Sequence, residues 1–360
     1  MFYRLATMLA EESILTAATK VIDLTMKDII SRIQINVEVQ RDGTVLGAHP
    51  AEVLTNIELV DGSDVLFSMS GKECQALDYY QTKTMPFNAI TDQAGQDDIT
   101  TFNINFGRYL YDTVLALDPT KFNNPQLKIT HNYAACGGAP AAARMEVRAY
   151  LFDEKVPVPT GFLMSKEHYQ FTSGGVNTFH SVDMPTDYVT RRFMLLGTAA
   201  NKFVQQVINS IRLSEDNAKR IPYDSTVWQL LKAARQVYPR IEEYGHFSLL
   251  AATRVIYASP TQDIVFNAVG DGVAQVISVS AIPITMPITT DIFADGAVSA
   301  QISGYDPHYS FVLPCGDPDI IEDWYDVTKI GNLSMRFKAG SAGVDGVVEI
   351  VTEQLRKYAA

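Results

Sequence analysis

The sequence is poor in the residues that mark several large classes of protein. Only three of its 360 residues are cysteines, Cys74, Cys136 and Cys315. They lie far apart, with neither a C-x-x-C pair nor a histidine at zinc-site spacing, which excludes a disulfide framework and a zinc module. Charged residues make up 19%, and 41 acidic against 29 basic residues give a net charge of −12. Direct nucleic-acid binding is not expected, because it requires clustered positive charge.

Long apolar segments are also scarce. The first apolar stretch ends at Glu11 and Glu12, which is too early for the hydrophobic region of a signal peptide. The longest uncharged run, residues 272–290, contains Pro283 and Pro287. Prolines at these positions indicate strands and a turn, not a membrane-spanning helix. The few, scattered cysteines fit a reducing compartment.

Sequence motifs for catalysis are missing. No H-E-x-x-H, G-x-S-x-G or phosphate-binding G-x-x-x-x-G-K-[ST] motif is present. Gly270 and Gly272 flank Asp271 but lack the third glycine of a dinucleotide loop, so we interpret them as a hairpin turn. Cys136 is interpreted as a small residue in a turn. We therefore assign no catalytic, cofactor-binding or metal-binding residues and expect no enzyme. The six histidines are scattered structural or surface residues: His49, His131, His168, His180, His246 and His308.

An acidic segment near the C terminus leaves one metal alternative open. Asp317, Asp319, Glu322 and Asp323 could offer carboxylate oxygens to calcium, which takes six to eight oxygen ligands. The segment lacks the glycine and the final glutamate of an EF-hand loop. A solvated loop with a local helical turn is the favoured interpretation, and bound calcium is the alternative.

The hydrophobic pattern near the N terminus predicts a helix. Apolar residues recur there at steps of three and four positions, which is typical of an amphipathic helix over residues 9–31. The period then changes to two, so residues 33–39 predict a half-buried strand. The helical pattern is formed by Ile14, Ala18, Val21, Ile22, Met26, Ile29, Ile30 and Ile33.

The rest of the chain predicts an all-β protein. Short apolar segments alternate with Gly, Pro, Asn and Asp, a pattern typical of sandwiches and barrels. No βαβ alternation is present, so a Rossmann or TIM-barrel enzyme is not expected. The predicted strands are 53–60, 65–69, 101–106, 127–131, 145–152, 192–196, 207–213, 273–283, 333–337 and 347–351.

The two halves of the chain contain a weak repeat with a constant order. Ile57-Glu-Leu59 and Ile211-Arg-Leu213 each run into a turn, and each is followed by a short strand and a helix-capping box. The boxes are Ser70-x-x-Glu73 and Thr226-x-x-Gln229. Further on, Asp118-Pro-Thr120-Lys121 is matched by Asp326-Val-Thr328-Lys329, and a strand follows each. Repeat units of this size predict two jelly rolls of about eight strands.

These segments resemble the double jelly-roll major capsid proteins, and among them those of tailless, membrane-containing icosahedral bacteriophages, in the lineage that includes the adenovirus hexon. The resemblance spans nearly the whole chain. It is carried by Ile57-Glu-Leu-Val-Asp-Gly-Ser63, by residues 70–80, by residues 106–112 leading to Asn124-Pro-Gln-Leu-Lys-Ile129, and by residues 183–193. The last of these resembles the start of the second roll.

The resemblance implies a structural virion protein made in the host cytoplasm. We expect an N-terminal helix over 1–32, a first jelly roll over 33–160 and a second over 161–360. Three chains would form a six-lobed capsomer, a homotrimer that contacts other capsomers, penton or membrane-associated proteins and an internal lipid membrane. The helix would pack on its own domain or lie under the shell, where a neighbouring capsomer is favoured over a membrane.

Two further interpretations remain open. A surface carbohydrate-binding β-sandwich is the main alternative and would need a groove lined by exposed aromatic residues. A β-sandwich hydrolase would need paired carboxylates on facing strands. The second repeat also carries about 54 additional residues. We expect them, at about residues 240–305, to form an outward protrusion, or alternatively to extend the sandwich sheets.

Overall fold

The computed structural model describes residues 1–44, 46–137, 140–199, 202–249, 254–270, 278–279, 286–289 and 296–358. Strands dominate these residues, as the sequence pattern predicts. The first half contains β1 (Tyr3–Ser13), β2 (Ala18–Asp23), β3 (Ile30–Gln40), β4 (Leu54–Asp61), β5 (Asp64–Met69), β6 (Asn88–Thr91), β7 (Asp97–Asn105), β8 (Pro125–His131) and β9 (Ala142–Phe152).

The second half repeats this pattern and adds an inserted group of strands. Its strands are β10 (Gly161–Thr172), β11 (Phe179–Asp183), β12 (Val189–Thr198), β13 (Ile208–Glu215), β14 (Arg220–Thr226), β15 (Ile241–Leu249), β16 (Arg254–Ile256), β17 (Pro260–Gly270), β18 (Ser278–Val279), β19 (Met286–Thr289), β20 (Gly296–Pro307), β21 (Ser310–Pro314), β22 (Leu333–Ala339) and β23 (Val347–Lys357).

The helices of the described residues are short. They are α1 (Gly71–Thr82), α2 (Val204–Val207) and α3 (Val227–Ala234), with 3₁₀ turns at Pro50–Val53, Pro119–Lys121, Tyr133–Cys136, Ile321–Asp323 and Val327–Lys329. Among the described residues, no helix has the length and apolar composition needed to cross a bilayer.

Each half forms a jelly roll from two four-stranded sheets. In the first roll, the strand order is β1-β9-β3-β7 in one sheet and β2-β8-β4-β5 in the other. In the second roll, the corresponding orders are β10-β23-β12-β21 and β11-β22-β13-β14. The pairing is therefore the same, strand for strand, and the predicted fold of two consecutive eight-stranded jelly rolls is confirmed.

The two rolls are joined edge to edge and point the same way. β5 of the first roll pairs in parallel with β10 of the second, through Phe67↔Ser165 and Ser68↔Lys166. β6 pairs in parallel with β15, so β15, β20 and β17 extend the first sheet of the first roll. Parallel joins place the strand ends of both rolls at two common ends of the molecule. We call the end near Tyr3, Phe152 and Gly161 the lower end and the opposite one the upper end.

The repeated helix signals form the same local structures in both rolls. Ser70 caps α1 and Thr226 caps α3, each in a complete capping box with Glu73 or Gln229. Two further elements also match: each roll has a three-residue 3₁₀ turn, Pro119–Lys121 or Val327–Lys329, that follows an aspartate and leads to the next strand. Local hydrogen-bonding patterns of this kind are readable from sequence because both partners lie within four residues.

The predicted N-terminal helix is wrong. Residues 9–31 contain the end of β1, all of β2 and the start of β3. The buried residues Ile14, Ile22 and Ile30 belong to a loop and two different strands, so their helix-like spacing is a coincidence. β1 is instead fixed by pairing with β9, in which Tyr3 lies opposite Phe152. The segment thus supplies the first two strands of the first roll.

Two other expectations also change. Residues 183–193 do not start the second roll, because β10 starts it at Gly161 and residues 183–193 lead from its second strand into its third.

The insertion is not simply a protrusion on the second roll. Its strands β15, β20 and β17 extend a sheet of the first roll, as the alternative expectation had it, because β6 offers β15 an unpaired edge. Three short strands, β16, β19 and β18, form a separate sheet.

Candidate functional site

A buried polar network lies where the insertion meets the first roll. Glu243 of β15 is completely buried and accepts hydrogen bonds from Asn88 of β6 (2.9 Å) and from the hydroxyl of Ser259 (2.7 Å). Its second oxygen accepts from the Ser259 backbone N–H at 2.8 Å. His49 Nε2 lies 3.0 Å from Glu243 Oε1. Burial alone would raise the pKa of Glu243, but His49 and Ser259 outweigh it and hold that pKa below its usual range.

Ser259, His49 and Glu243 are the residue types of a hydrolase triad, but their geometry does not support one. His49 Nδ1 accepts the Ala51 backbone N–H at 3.0 Å, so Nε2 carries the proton and donates to Glu243. The Ser259 hydroxyl also donates to Glu243, and Ser259 is fully buried. A triad instead needs a histidine nitrogen free to accept the serine proton. The network therefore connects the insertion to the first roll through hydrogen bonds.

A second buried cluster lies at the junction of the two rolls. Glu353 of β23 lies 3.0 Å from Arg191 Nη1 and 2.6 Å from Arg192 Nε, and all three side chains are buried. Gln81 of α1 donates to Glu353 at 2.6 Å, and Arg192 donates to the carbonyl oxygen of Tyr80. Helix α1 of the first roll is thereby bonded to the central strands of the second. Burial lowers the pKa of Arg191 to about 10, although Glu353 opposes this shift.

Three carboxyl groups meet beside the start of α1. Glu73 is buried, and one of its oxygens accepts from the Ser70 backbone and hydroxyl at 2.7 Å, while the other has no hydrogen-bond partner. Burial, followed by the nearby Glu349 and Glu167, raises the pKa of Glu73 to about 8. Lys72 lies 3.7 Å from Glu349 and is the one nearby cation that forms an ion pair with this cluster among the described residues.

The acidic loop does not assemble a calcium site. Asp323 accepts the backbone N–H of Asp317 at 2.7 Å, and Asp317 accepts that of Asp319 at 2.9 Å, so these carboxylates close turns. Asp319 also lies 3.7 Å from Arg191. Within the part of the chain that the structure describes, no group of three or more His, Cys, Asp or Glu side chains is placed to hold a metal ion. A loop with a 3₁₀ turn at Ile321–Asp323 is what forms.

The cysteines and histidines occupy separate environments. Cys74, Cys136 and Cys315 are free and buried, and burial raises the pKa of each thiol, that of Cys315 to about 12. Raised thiol pKa values make the three cysteines poor nucleophiles.

The rings of His49 and His308 lie 4.9 Å apart, although the residues are far apart in sequence. Burial, His49 and Lys72 hold the pKa of His308 well below its usual range.

Some sequence expectations lie outside the described residues. The predicted hairpin turn at Gly270-Asp-Gly272 and most of the predicted strand 273–283 are among them. The sequence analysis missed Glu243, Ser259 and the Arg191–Arg192–Glu353 cluster. His49 and Glu243 are 194 positions apart, so no local spacing could have indicated their contact.

The fold defined by these strands is a double jelly roll, and its similarity to solved structures covers the whole chain. No protein-family model and no curated protein matches the sequence. The STIV major capsid protein superposes with a TM-score of 0.62 at 11% identity, covering 99% of this chain and 97% of the other. The major capsid protein P2 from bacteriophage PM2 gives a TM-score of 0.56 at 9% identity, over 99% and 98%.

A quasi-atomic model of the PBCV-1 virus capsid is also similar, with a TM-score of 0.56 at 9% identity over 98% of this chain and 93% of the other. At such identities the similarity establishes the fold alone. The resemblance inferred from the sequence is thus confirmed at the level of the fold: this chain has the architecture of double jelly-roll major capsid proteins.

Proposed function

We propose that the protein is a major capsid protein whose homotrimers form the pseudo-hexameric capsomers of an icosahedral virus shell. The observation that carries the proposal is the strand-for-strand duplication of the jelly roll within one chain, with both rolls pointing the same way. Because each chain has two equivalent lobes, three chains can occupy a near-sixfold position in the shell. A chain with one lobe would need six copies to fill the same position. The end-to-end similarity to known capsid proteins supports this function over a carbohydrate-binding surface protein.

The two ends of the molecule would face opposite sides of the shell. In such a capsomer the strands stand perpendicular to the shell, so the lower and upper ends face inward or outward while the sides contact neighbouring chains. The strands of the insertion run toward the upper end, since β15 is parallel to β6 and continues past it. Insertions are tolerated best on an exposed surface, because there they displace no neighbouring part of the shell. We therefore place the upper end outward.

A group of exposed apolar residues lies at the lower end. They come from the N terminus, the loop before β8 and the connection between the rolls, and they include the most exposed large apolar side chain of the described residues, Val158, at 90%. Isolated exposed apolar residues are ordinary, but a group of them at one end indicates a contact surface. We call this group the lower apolar patch: Phe2, Leu5, Tyr109, Leu110, Val156 and Val158.

Two arginines beside the lower apolar patch form ion pairs within the chain. Arg4 lies 2.5 Å from Asp28, and Arg108 lies 2.7 Å from Asp112. Phe2 and Tyr109 add aromatic rings, which favour the boundary between lipid headgroups and acyl chains. An inward-facing apolar and aromatic surface suits an internal lipid membrane better than a genome, whose phosphates need clustered positive charge.

The experiment is size-exclusion chromatography with light scattering, followed by negative-stain microscopy of the purified chain. A trimer has a mass of about 119 kDa, three times the 39.8 kDa of one chain. We expect this mass and three-fold particles with six lobes. A monomer that persists at working concentration, with no three-fold particle on the grid, would falsify the proposal.

A further inference from the structure

The two jelly rolls of one chain contact each other through a strand edge and a helix. Strand β5 of the first roll pairs in parallel with β10 of the second. Helix α1 of the first roll lies on the outer face of the sheet β10-β23-β12-β21, where Met194 belongs to the same apolar cluster as the side chains of α1. Gln81 of α1 donates to Glu353 at 2.6 Å, and Lys72 of α1 lies 3.7 Å from Glu349. We call this contact the internal junction.

Helices α1 and α3 are equivalent in the two rolls but differ in how far they are covered. Each helix begins at a capping box. Nine of the 12 residues of α1 are buried, whereas Val227 and Leu231 are the buried ones among the eight of α3. Trp228 corresponds to Lys72, since each is the second residue after its cap, and Trp228 is 40% exposed. The side of α3 that corresponds to the covered side of α1 is therefore open.

The corresponding sheets of the two rolls differ in the same way. Burial alternates along β3 and β9, whose outward side chains are partly exposed, whereas β12 and β23 are buried on both faces. The same bulge occurs in both rolls, at Arg32 of β3 and Arg192 of β12, and it aligns the two pairs of strands. Partly exposed outward residues of the first roll thus correspond to buried residues of the second: Gln34 to Met194, Asn36 to Leu196, Glu146 to Glu349, Arg148 to Val351 and Tyr150 to Glu353.

The chain thus carries both halves of the internal junction a second time, on exposed surfaces. β14 corresponds to β5 and β1 corresponds to β10, and each stands at the edge of its sheet. The operation that carries the first roll onto the second would carry the second onto a further roll beside β14, so these surfaces fit a neighbouring chain. The outer face of the sheet β1-β9-β3-β7 also has a depression of about 310 Å³, whose lining includes Asn36, Glu38, Glu146 and Arg148.

We propose that these two surfaces bind each other between neighbouring copies of this chain. β14 and the exposed side of α3 on one chain contact β1 and the outer face of β9 and β3 on the next. Trp228 enters the depression beside Glu146, as Lys72 lies beside Glu349 in the internal junction. Buried aromatic residues of this kind supply much of the binding free energy of an interface. The contact joins two different surfaces, so it closes a ring and not a pair, and closure at three copies rests on the proposed function.

The first test is light scattering of the full-length protein over a dilution series. Trp228→Ala should raise the concentration at which half of the trimer dissociates by at least about tenfold, the effect expected of a central aromatic residue. Phe179→Ala is the matched control and should leave that concentration unchanged. Phe179 is also an exposed aromatic residue, at 59%, but it lies on β11, at the opposite edge of the sheet from β14. Circular dichroism should show both variants folded.

A cross-link then locates the contact while keeping Trp228 in place. Lys232 lies 5.0 Å from the ring centroid of Trp228, and Arg148 lines the depression. The double variant Lys232→Cys and Arg148→Cys, treated with a short bifunctional maleimide, should give covalent trimers in denaturing electrophoresis. Each single variant should give no more product than the unmodified protein, because the contact joins two different positions. The native cysteines react little, since all three are buried and burial raises their thiol pKa values.

The possible failures separate this interface from the proposed function. A trimer that Trp228→Ala does not weaken, or a trimer in which the double-cysteine variant is cross-linked no more than the single variants, would overturn the interface and leave the trimer standing. A chain that stays monomeric would overturn both. Cross-linked products that grow beyond three copies would support the contact and contradict the closed trimer.

Discussion

The carboxylate of Glu353 lies 2.6 Å from the guanidinium of Arg192, and both side chains are almost completely removed from solvent. Arg191, on the same strand as Arg192, lies 3.0 Å from the other oxygen of this carboxylate. One buried anion therefore compensates two buried cations at the point where α1 of the first roll contacts the second. Removing the anion would leave buried Arg192 without its carboxylate partner and Arg191 with only the exposed Asp319, 3.7 Å away.

We predict that Glu353→Gln lowers the free energy of unfolding by about 3–5 kcal/mol, the usual cost of breaking a buried ion pair from one side. Burial alone would raise the pKa of Glu353, but Arg191 and Arg192 hold it below its usual range. The stabilisation is therefore present above about pH 4.3, the unfolded value, and is lost as the pH falls below it. Urea unfolding at pH 7 and pH 4 measures both effects.

The matched control for this prediction is Asp64→Asn. Asp64 forms an ion pair with Arg356 at the surface, where side-chain exposure reaches 46%. Exposed pairs contribute about 0–1 kcal/mol, so this variant should unfold almost as the unmodified protein does. Equal effects of the two substitutions would show that the buried cluster is not the stronger contact.

We predict that ionisation of Glu73 lowers the stability of the folded protein as the pH rises. Its pKa in the folded protein is about 8, raised by burial and then by Glu349 and Glu167. Because the unfolded value is about 4.3, the folded state binds more protons between these two pH values, and its stability decreases as the pH rises from about 4.3 to about 8. Glu73→Gln removes this cost and still accepts the Ser70 hydrogen bonds. Its advantage over the unmodified protein should be on the order of a few kcal/mol greater at pH 9 than at pH 5.

Thermal unfolding at the two pH values measures this difference. Glu58→Gln on β4 is the control, because Glu58 is half-buried and lies outside the carboxyl cluster. A Glu73→Gln protein that follows the same pH dependence as the unmodified chain would contradict the prediction.

We predict that substitution by alanine destabilises the protein more at Gly71 than at Gly62, two glycines of the first roll. A Cβ atom on Gly71 would clash with the carbonyl oxygen of Ala51 and lie 2.8 Å from Phe102 Cε1. Overpacking of this kind costs about 1–3 kcal/mol or more. Gly62 has a φ of +62° but open space around it, so Gly62→Ala costs about 1 kcal/mol from backbone strain alone. Urea midpoints of the two variants compare these costs, and a larger effect at Gly62 would count against the packing of α1.

The lower apolar patch predicts binding to neutral lipid. Full-length protein should float with phosphatidylcholine vesicles in a density gradient, since the apolar side chains gain free energy by leaving water. Val158→Asp should reduce the floated fraction at least threefold. Val344→Asp, which changes a 60% exposed valine at the upper end, should not. Equal flotation of both variants would show that the patch does not contact lipid.

The capping boxes and the early strands of each repeat could be predicted from sequence because their interactions are local. Ser70 and Glu73 are three residues apart, and so are Thr226 and Gln229. The N-terminal strands could not be predicted from sequence, because β1 is formed by pairing with β9, and Tyr3 lies opposite Phe152 only in the folded chain. Ile14 and Ile22, eight positions apart, fit a helix face equally well.

The position of β23 between β10 and β12 has a consequence for synthesis on the ribosome. β12 ends at Thr198 and β23 begins at Val347, so both neighbours leave the ribosome well before the strand that separates them. At about 5–20 residues per second the gap stays open for about 7–30 s. Until β23 is synthesised, the unpaired edges of β10 and β12 are exposed to other chains that are being translated from the same mRNA. Strand pairing between such chains would compete with folding. High-level expression should therefore depend on chaperones that cover this gap.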